Sequence, residues 1–291
     1  MSATTRPHCT LPAVATIKLA MIQYLYLGRV GYDEGLRLQA EIAELRYAGR
    51  VNNVLLLLEH PPVLTLGRNA HRSNILASDE LLARRGVTIH EINRGGAVTY
   101  HGPGQLVGYP IFDLRSLRTA NSGRMGPVDF VRLMEEALIR LCGEFGVRAG
   151  RMKGLTGVWC GPADGSPERK IGAIGIHVAR GITSHGFAFN VTTDLRDFSL
   201  IIPCGIASHA VTSLEREIQN PDALPSLEAT AHQAAQQFGL VFDQQLLAVE
   251  SLAALRTQAS AVPEFPAEDT PLQVPAEVKR LKDSAERPIR A

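Results

Sequence analysis

Apolar residues recur along this chain at two spacings, and the switching between them predicts helices interleaved with strands. From Tyr32 to Arg46 the positions Leu36, Ala40, Ala43 and Leu45 fit one face of a helix that Gly49 can end. Val54 to Leu58 is an unbroken apolar run before Pro61-Pro62 and predicts a buried strand; Val63 to Leu66 predicts a second, closed by Gly67. Asp79 to Arg85 predicts a short helix with Ser78 as its cap. Val87 to Ile92 and Gln105 to Leu114 read as further strands. Pro127 suits the first turn of a helix whose stripe is Phe130, Val131, Met134, Ala137, Leu138, Leu141 and Phe145, with Cys142 beside it as a core residue. Gly157 to Cys160 and Lys170 to Ala179 flank a polar loop and predict a hairpin. His185 to Thr192 predicts one more strand and Leu227 to Phe238 a helix. Hairpin-like strands mixed with helices predict an α+β fold, a mixed β-sheet with flanking helices, and argue against a strict βαβ array.

Composition bounds this picture without redirecting it. The chain has 291 residues, 45% of them hydrophobic and 20% charged, with a formal net charge of +1. That balance gives no argument for nucleic acid or a membrane surface as partner. The four cysteines form no CxxC pair and no metal spacing, no apolar run reaches transmembrane length, and a reducing cytoplasm is the expected location. The first 32 residues lack acid; this reads as a ragged N-terminus over residues 1–20, with Met21 as an alternative start, or as a transit peptide. Residues 21–258 are expected to form the catalytic domain. From 259 to 291 a Pro- and Glu-rich stretch and a charged end read as a tail with little core of its own.

Four runs carry candidate chemistry. RGGAVTYHGPGQ (Arg94 to Gln105) packs four glycines, a proline and His101 into twelve residues, which reads either as a tight turn or as backbone closely approached by another group. RKIGAIGIHVARG (Arg169 to Gly181) is apolar on both faces, as a central strand is, with Gly172 and Gly175 leaving room for a ligand or a neighbouring backbone. Lys170 opens that strand; only it and Lys153 fall between Gly28 and Pro271, although a lone lysine there also reads as a snorkelling strand end. SHGFAFNVTTDL (Ser184 to Leu195) sets Gly186 within another strand, and its His185 alone reads as a satisfied core histidine. IIPCGI (Ile201 to Ile206) holds Cys204 between a proline and a glycine, a setting suited to exposure on a rigid turn, although free cysteine is by rule a small buried hydrophobe.

Together these runs resemble the octanoyl–acyl-carrier-protein:protein octanoyltransferases, also called lipoyl (octanoyl) transferases or lipoate-protein ligase B. The resemblance runs from about Leu27 to Leu214 and rests on LLLEHPPVLTLGR, RGGAVTYHGPGQLVGYPIFDL, the Lys170 strand, SHGFAFNV and IIPCGIASHAVTSL. It implies the biotin/lipoate protein ligase-like fold. It also implies that Cys204 is the acyl-thioester nucleophile and that Lys170 lowers its pKa. The acyl substrate would lie along Arg94, Gly95, Gly96, Ala97, Val98, Thr99, Tyr100 and His101, then Ala173, Ile174 and Gly175, and Gly186, Phe187 and Ala188. The donor would be octanoyl-acyl carrier protein. The acceptors would be lysines of the lipoyl domains of 2-oxoacid dehydrogenase complexes and of the glycine cleavage H protein.

The chemistry this implies is self-consistent. A neighbouring ammonium favours a thiolate, and exchange of one thioester for another needs no ATP and no metal. Leu64, Ile174 and Phe187 are expected as walls of an apolar slot, and Arg68, Arg72, Arg148 and Arg151 as a basic patch for an acidic carrier. Three rivals stand beside this: an ATP-dependent lipoate or biotin ligase on the same fold, a Cys–His thiol hydrolase using His101 or His185, and a non-enzymatic module that carries lipoyl domains.

Overall fold

The computed structural model describes residues 21–119, 123–161, 168–202 and 210–261. Cys204, the loop inside the hairpin and both tails lie outside the described residues.

The central sheet follows from the VLLLL run. Strand β2 (Asn53–Glu59) is buried along its whole length. Leu55 and Leu57 enter one hydrophobic cluster, and Val54, Leu56 and Leu58 enter another on the opposite face. Around it lie β1 (Met21–Arg29), β6 (Gln105–Ile111), β7 (Ala149–Met152), β8 (Leu155–Cys160), β9 (Arg169–Ala179), β10 (Ile182–Asn190) and β11 (Gln245–Ala248). Their order is β11-β1-β2-β6-β10-β9-β8-β7. The β11–β1 and β1–β2 pairs are parallel and the rest antiparallel, so the sheet is mixed, as expected.

Helices cover both faces. On one, α3 (Pro127–Glu144) and α5 (Leu227–Phe242) enclose Phe112, Phe130, Phe187, Phe238 and Phe242. On the other, α1 (Tyr32–Tyr47) seals Leu25, Leu56 and Val107. Helix starts are set where polar caps allow: Ser78 Oγ accepts from Leu81 N in α2 (Asp79–Arg84), and Ser226 Oγ accepts from Ala229 N in α5. A smaller sheet, β4 (Thr88–Glu91), β3 (Val63–Leu66) and β5 (Val98–His101), packs Leu64, Leu66 and Tyr100 against Phe198 and Ile201.

Several expectations need correction. The inward face of α1 is Tyr32, Gly35, Leu38, Gln39 and Ile42; Ala40 points to solvent, because Gln39 and Gly35 are taken inside by the sheet and were not counted as apolar. Val98–His101 is a buried strand, although its glycine neighbours made it read as loop. Strands β1, β7 and β11 and helix α6 (Leu252–Ala261) had no clear apolar period, and Ala259 at the expected tail boundary is buried within α6.

Candidate active site

A cavity of about 380 Å³ opens where the small sheet meets β9 and β10. Its wall includes Arg94, residues 96–99 and His101 from the glycine-rich run, Lys170 and residues 173–175 from β9, and residues 185–188 from β10. Two singled-out residues stay off that wall. Gly95 lines a neighbouring groove and donates its N–H to Ile176 O at 2.9 Å. Tyr100 turns into the small core, where its hydroxyl donates to Asp197 Oδ2 at 2.7 Å.

Glycines make this convergence possible, and what approaches them is the chain itself. A Cβ on Gly175 would stand 2.7 Å from Gly95 O, and one on Gly108 would stand 2.2 Å from the Phe187 ring. Crossing of the Arg94–Gly96 segment over β9, and the inward turn of Phe187, both need those missing side chains. In β10 the residue with left-handed backbone is not the glycine but His185 (φ 55), whose N–H donates to Gln39 Oε1 at 2.6 Å.

Arg94 is buried, and its guanidinium donates to Thr65 O at 2.7 Å, to Thr65 Oγ1 and to Gly95 O. The residue therefore ties its own segment to β3 of the small sheet and places a cation beside the cavity. Its charge and burial both act on the nearby imidazoles. Burial, then His60 and further Arg94 and His185, push His101 down to about 3. Burial and Arg94 push His185 down to about 4. Burial pushes His60 down to about 4. All three are neutral at physiological pH.

Neutrality together with the partners fixes the protons. His60 Nδ1 faces Val30 O at 2.7 Å, so it donates there and Nε2 accepts from the Tyr109 hydroxyl at 2.7 Å. Gln105 Nε2 donates to Tyr100 O and Asn190 Oδ1, while Asn190 Nδ2 donates to Thr212 O. Gln105 Oε1 is thus left to accept from His101 Nδ1 at 2.8 Å, and the His101 lone pair is on Nε2.

On the other side, the Lys170 side chain passes over Gly157, where a Cβ would lie 2.6 Å from its Cε, and its ammonium sits 4.9 Å from the Trp159 ring centroid. Main-chain bonds bring the residues on either side of the 203–209 segment, which contains Cys204, to this region. Ile202 N donates to Asn74 O at 2.8 Å. Lys170 N donates to Ala210 O, and Thr212 N donates to Lys170 O, each at 2.9 Å. Asn74 and Lys170 both line the cavity. The two described cysteines are buried, and burial pushes Cys160 up to about 12 and Cys142 well above its ordinary value; neither is a ready nucleophile.

Other expectations shift. Ile174 and Phe187 line the cavity, but Leu64 is fully buried in the small core, since β3 is covered on that face by Tyr100. All four arginines of the expected basic patch are exposed; Arg151 pairs with Glu135 and Glu136, and Arg72 with Asp79. Reading residues one run at a time missed His60, Tyr109, Thr65 and Trp159. Glu-His-Pro-Pro at a strand end and a lone tryptophan were the available signals. Among the described residues no His, Cys, Asp and Glu cluster is arranged to hold a metal, and no helix is long and apolar enough to cross a membrane.

A mixed sheet with helices on both faces and a cavity lined by Lys170 belong to the architecture of the lipoate protein ligases. Among solved structures, the bipartite lipoate protein ligase of Thermoplasma acidophilum, described with its E2 lipoyl domain, superposes with a TM-score of 0.61 at 17% identity, covering 82% of this chain and 91% of that one. A lipoate-protein ligase A bound with ATP superposes with a TM-score of 0.56 at 16% identity, covering 82% and 92%. By sequence, residues 31–239 match the lipoyl protein ligase A/B catalytic domain. The octanoyltransferase of Acidobacterium capsulatum is 61% identical over 79% of this chain and 94% of its own length, and that of Koribacter versatilis 48% over 90% and 98%. The chain belongs to the lipoyl protein ligase A/B catalytic family, among its octanoyltransferases, and is an acyltransferase.

Proposed function

We propose that this chain transfers an octanoyl group from octanoyl-acyl carrier protein to a lysine of lipoyl domains, through a thioester on Cys204. The Cys204 thiolate attacks the donor carbonyl, the bond to the carrier sulfur breaks, and that sulfur leaves as the carrier thiol with the proton of the Lys170 ammonium, which leaves Lys170 as an amine. The acceptor amine then attacks the new thioester; the amide forms and the Cys204 sulfur leaves. The ammonium of Lys170 favours the thiolate in the first step, and its amine form accepts the proton of the incoming lysine in the second. Neither step calls for ATP or a metal, because thioester exchange is nearly balanced and amide formation runs downhill.

The observation that carries this reading is the meeting of Lys170, the anchored residues on either side of the segment that contains Cys204, and the cavity. An octanoyl tail in that cavity contributes on the order of 5 kcal/mol at roughly 0.8 kcal/mol per buried methylene. Exposed Arg68 and Arg148 supply positive charge for an acidic carrier. Lipoyl domains of 2-oxoacid dehydrogenases and the glycine cleavage H protein, in a cytoplasm, complete the assignment.

Intact-protein mass spectrometry after mixing with octanoyl-carrier protein, without ATP, tests it. One octanoyl adduct is expected on the unaltered chain, none on Cys204→Ser, and a slowly formed one on Lys170→Ala. An adduct that persists in Cys204→Ser removes the thioester. Transfer of free octanoate only when ATP is added would replace this reading with the ligase.

A further inference from the structure

Lys170 is held by features that the transfer chemistry does not itself name. The register between β8 and β9 shifts at Val158 and Trp159, which pair with Gly172 and Lys170, so β9 carries an extra residue at Ile171, and Gly157 adopts φ 122 just before the shift. The backbone of Gly157 is fixed from behind: its N–H donates at 3.0 Å to Glu135 Oε1, a fully buried carboxylate of α3 that also accepts from Arg132 and Arg151. A side chain at 157 would meet Lys170 Cε, so the lysine's path depends on this glycine. On the next strand position the indole of Trp159, 4% exposed and directly paired with Lys170 in register, lies beneath the ammonium at 4.9 Å.

We propose that Trp159 is a positioning residue for the transfer: its π face fixes the Lys170 ammonium at the cavity, over the gap left by Gly157. The proposal rests on the reading of Lys170 as the activating cation. An indole face attracts an ammonium within about 6 Å of its centroid, and a desolvated face does so most strongly. An indole, unlike a carboxylate, brings no charge of its own to offset that of the ammonium. Glu135 serves the same end indirectly, by fixing the backbone of Gly157 over which the lysine passes.

The chain contains one tryptophan, so biosynthetic replacement by fluorinated tryptophans alters this ring alone. Fluorine drains the π face while nearly preserving ring shape, which avoids the folding loss that Trp159→Leu would risk. From mono- to tetrafluorotryptophan the rate of Cys204 octanoylation is expected to fall stepwise, by about three- to thirty-fold in all, and to stay flat across the same series in a Lys170→Ala background. Equal rates across the series, with an adduct still formed and still slowed by Lys170→Ala, overturn the role of Trp159 and leave the transferase reading intact. If no form acquires an adduct, the transferase reading fails, and the contact is judged from the ¹⁹F resonance of 5-fluorotryptophan. That resonance should shift on Lys170→Met; an unmoved resonance removes the contact.

Discussion

Two sides of one cavity are built on different principles. On the side of β2, β5 and β6, His60, Tyr109, His101, Gln105 and Asn190 form chains of hydrogen bonds that end on the backbone carbonyls of Val30, Tyr100 and Thr212. Each imidazole there is neutral, and burial is the first reason. On the side of β8 and β9 a lysine is held over an indole beside the residues that flank the 203–209 segment. The neutral side costs little to desolvate and gives shape; the charged side keeps a field available for chemistry. A buried polar group whose partners are all fixed rigidifies its surroundings, whereas a charge becomes useful when it is held in one place.

Acid should break the neutral side first. His60, His101 and His185 have folded pKa values near 4, 3 and 4, below the value of about 6.5 in an unfolded chain. The unfolded state therefore binds more protons between these limits, and stability present above pH 6.5 is lost as pH falls toward 4. The slope is up to about 1.4 kcal/mol per pH unit for each histidine. Denaturant midpoints measured from pH 7 to pH 4.5 should fall steadily, and less steeply in His60→Gln; a flat profile would contradict the neutral assignment.

Next in size is Gly108→Ala. Its methyl group would meet the Phe187 ring at 2.2 Å, which forces the ring toward the cavity or the strands apart. Overpacking of this kind costs about 1–3 kcal/mol. Acyl transfer should slow more for octanoyl than for a two-carbon donor; equal slowing would place the damage outside the cavity. The smallest effect belongs to the charged rim. Arg68→Glu should raise KM for the carrier-bound donor a few-fold at low salt and leave a free thioester donor unchanged, while equal change with both donors would remove Arg68 from carrier recognition.

Much of the frame was legible because it rests on periodicity. The VLLLL strand, the hairpin of β8 and β9 and the stripe of α3 each carry their own signal. Strand β5 was hidden because its flanking glycines dominate the local pattern: Gly102 and Gly104 form the tight turn into β6, while Gly95 and Gly175 allow the crossing over β9. Strand β11 at the sheet edge and its neighbour β1 have partly exposed faces, and only the pairing of β1 with β2 and of β11 with β1 gives them order. The cavity residues were named through resemblance; that His60 and Tyr109 back them, or that Thr65 holds Arg94, depends on contacts between segments far apart in sequence.

The bonds that bring the residues on either side of the 203–209 segment to the cavity, from Ile202 N to Asn74 O and between Lys170 and its two partners Ala210 and Thr212, are all main chain to main chain. Such tethers are blind to side-chain identity. Side-chain exchange at Ile202 or Ala210 leaves these bonds in place, whereas proline at 170, 202 or 212, which lacks the N–H, would cut one of them. For evolution or for an engineer, the flanks of the cavity on this side are a frame whose side chains can be varied without loosening it.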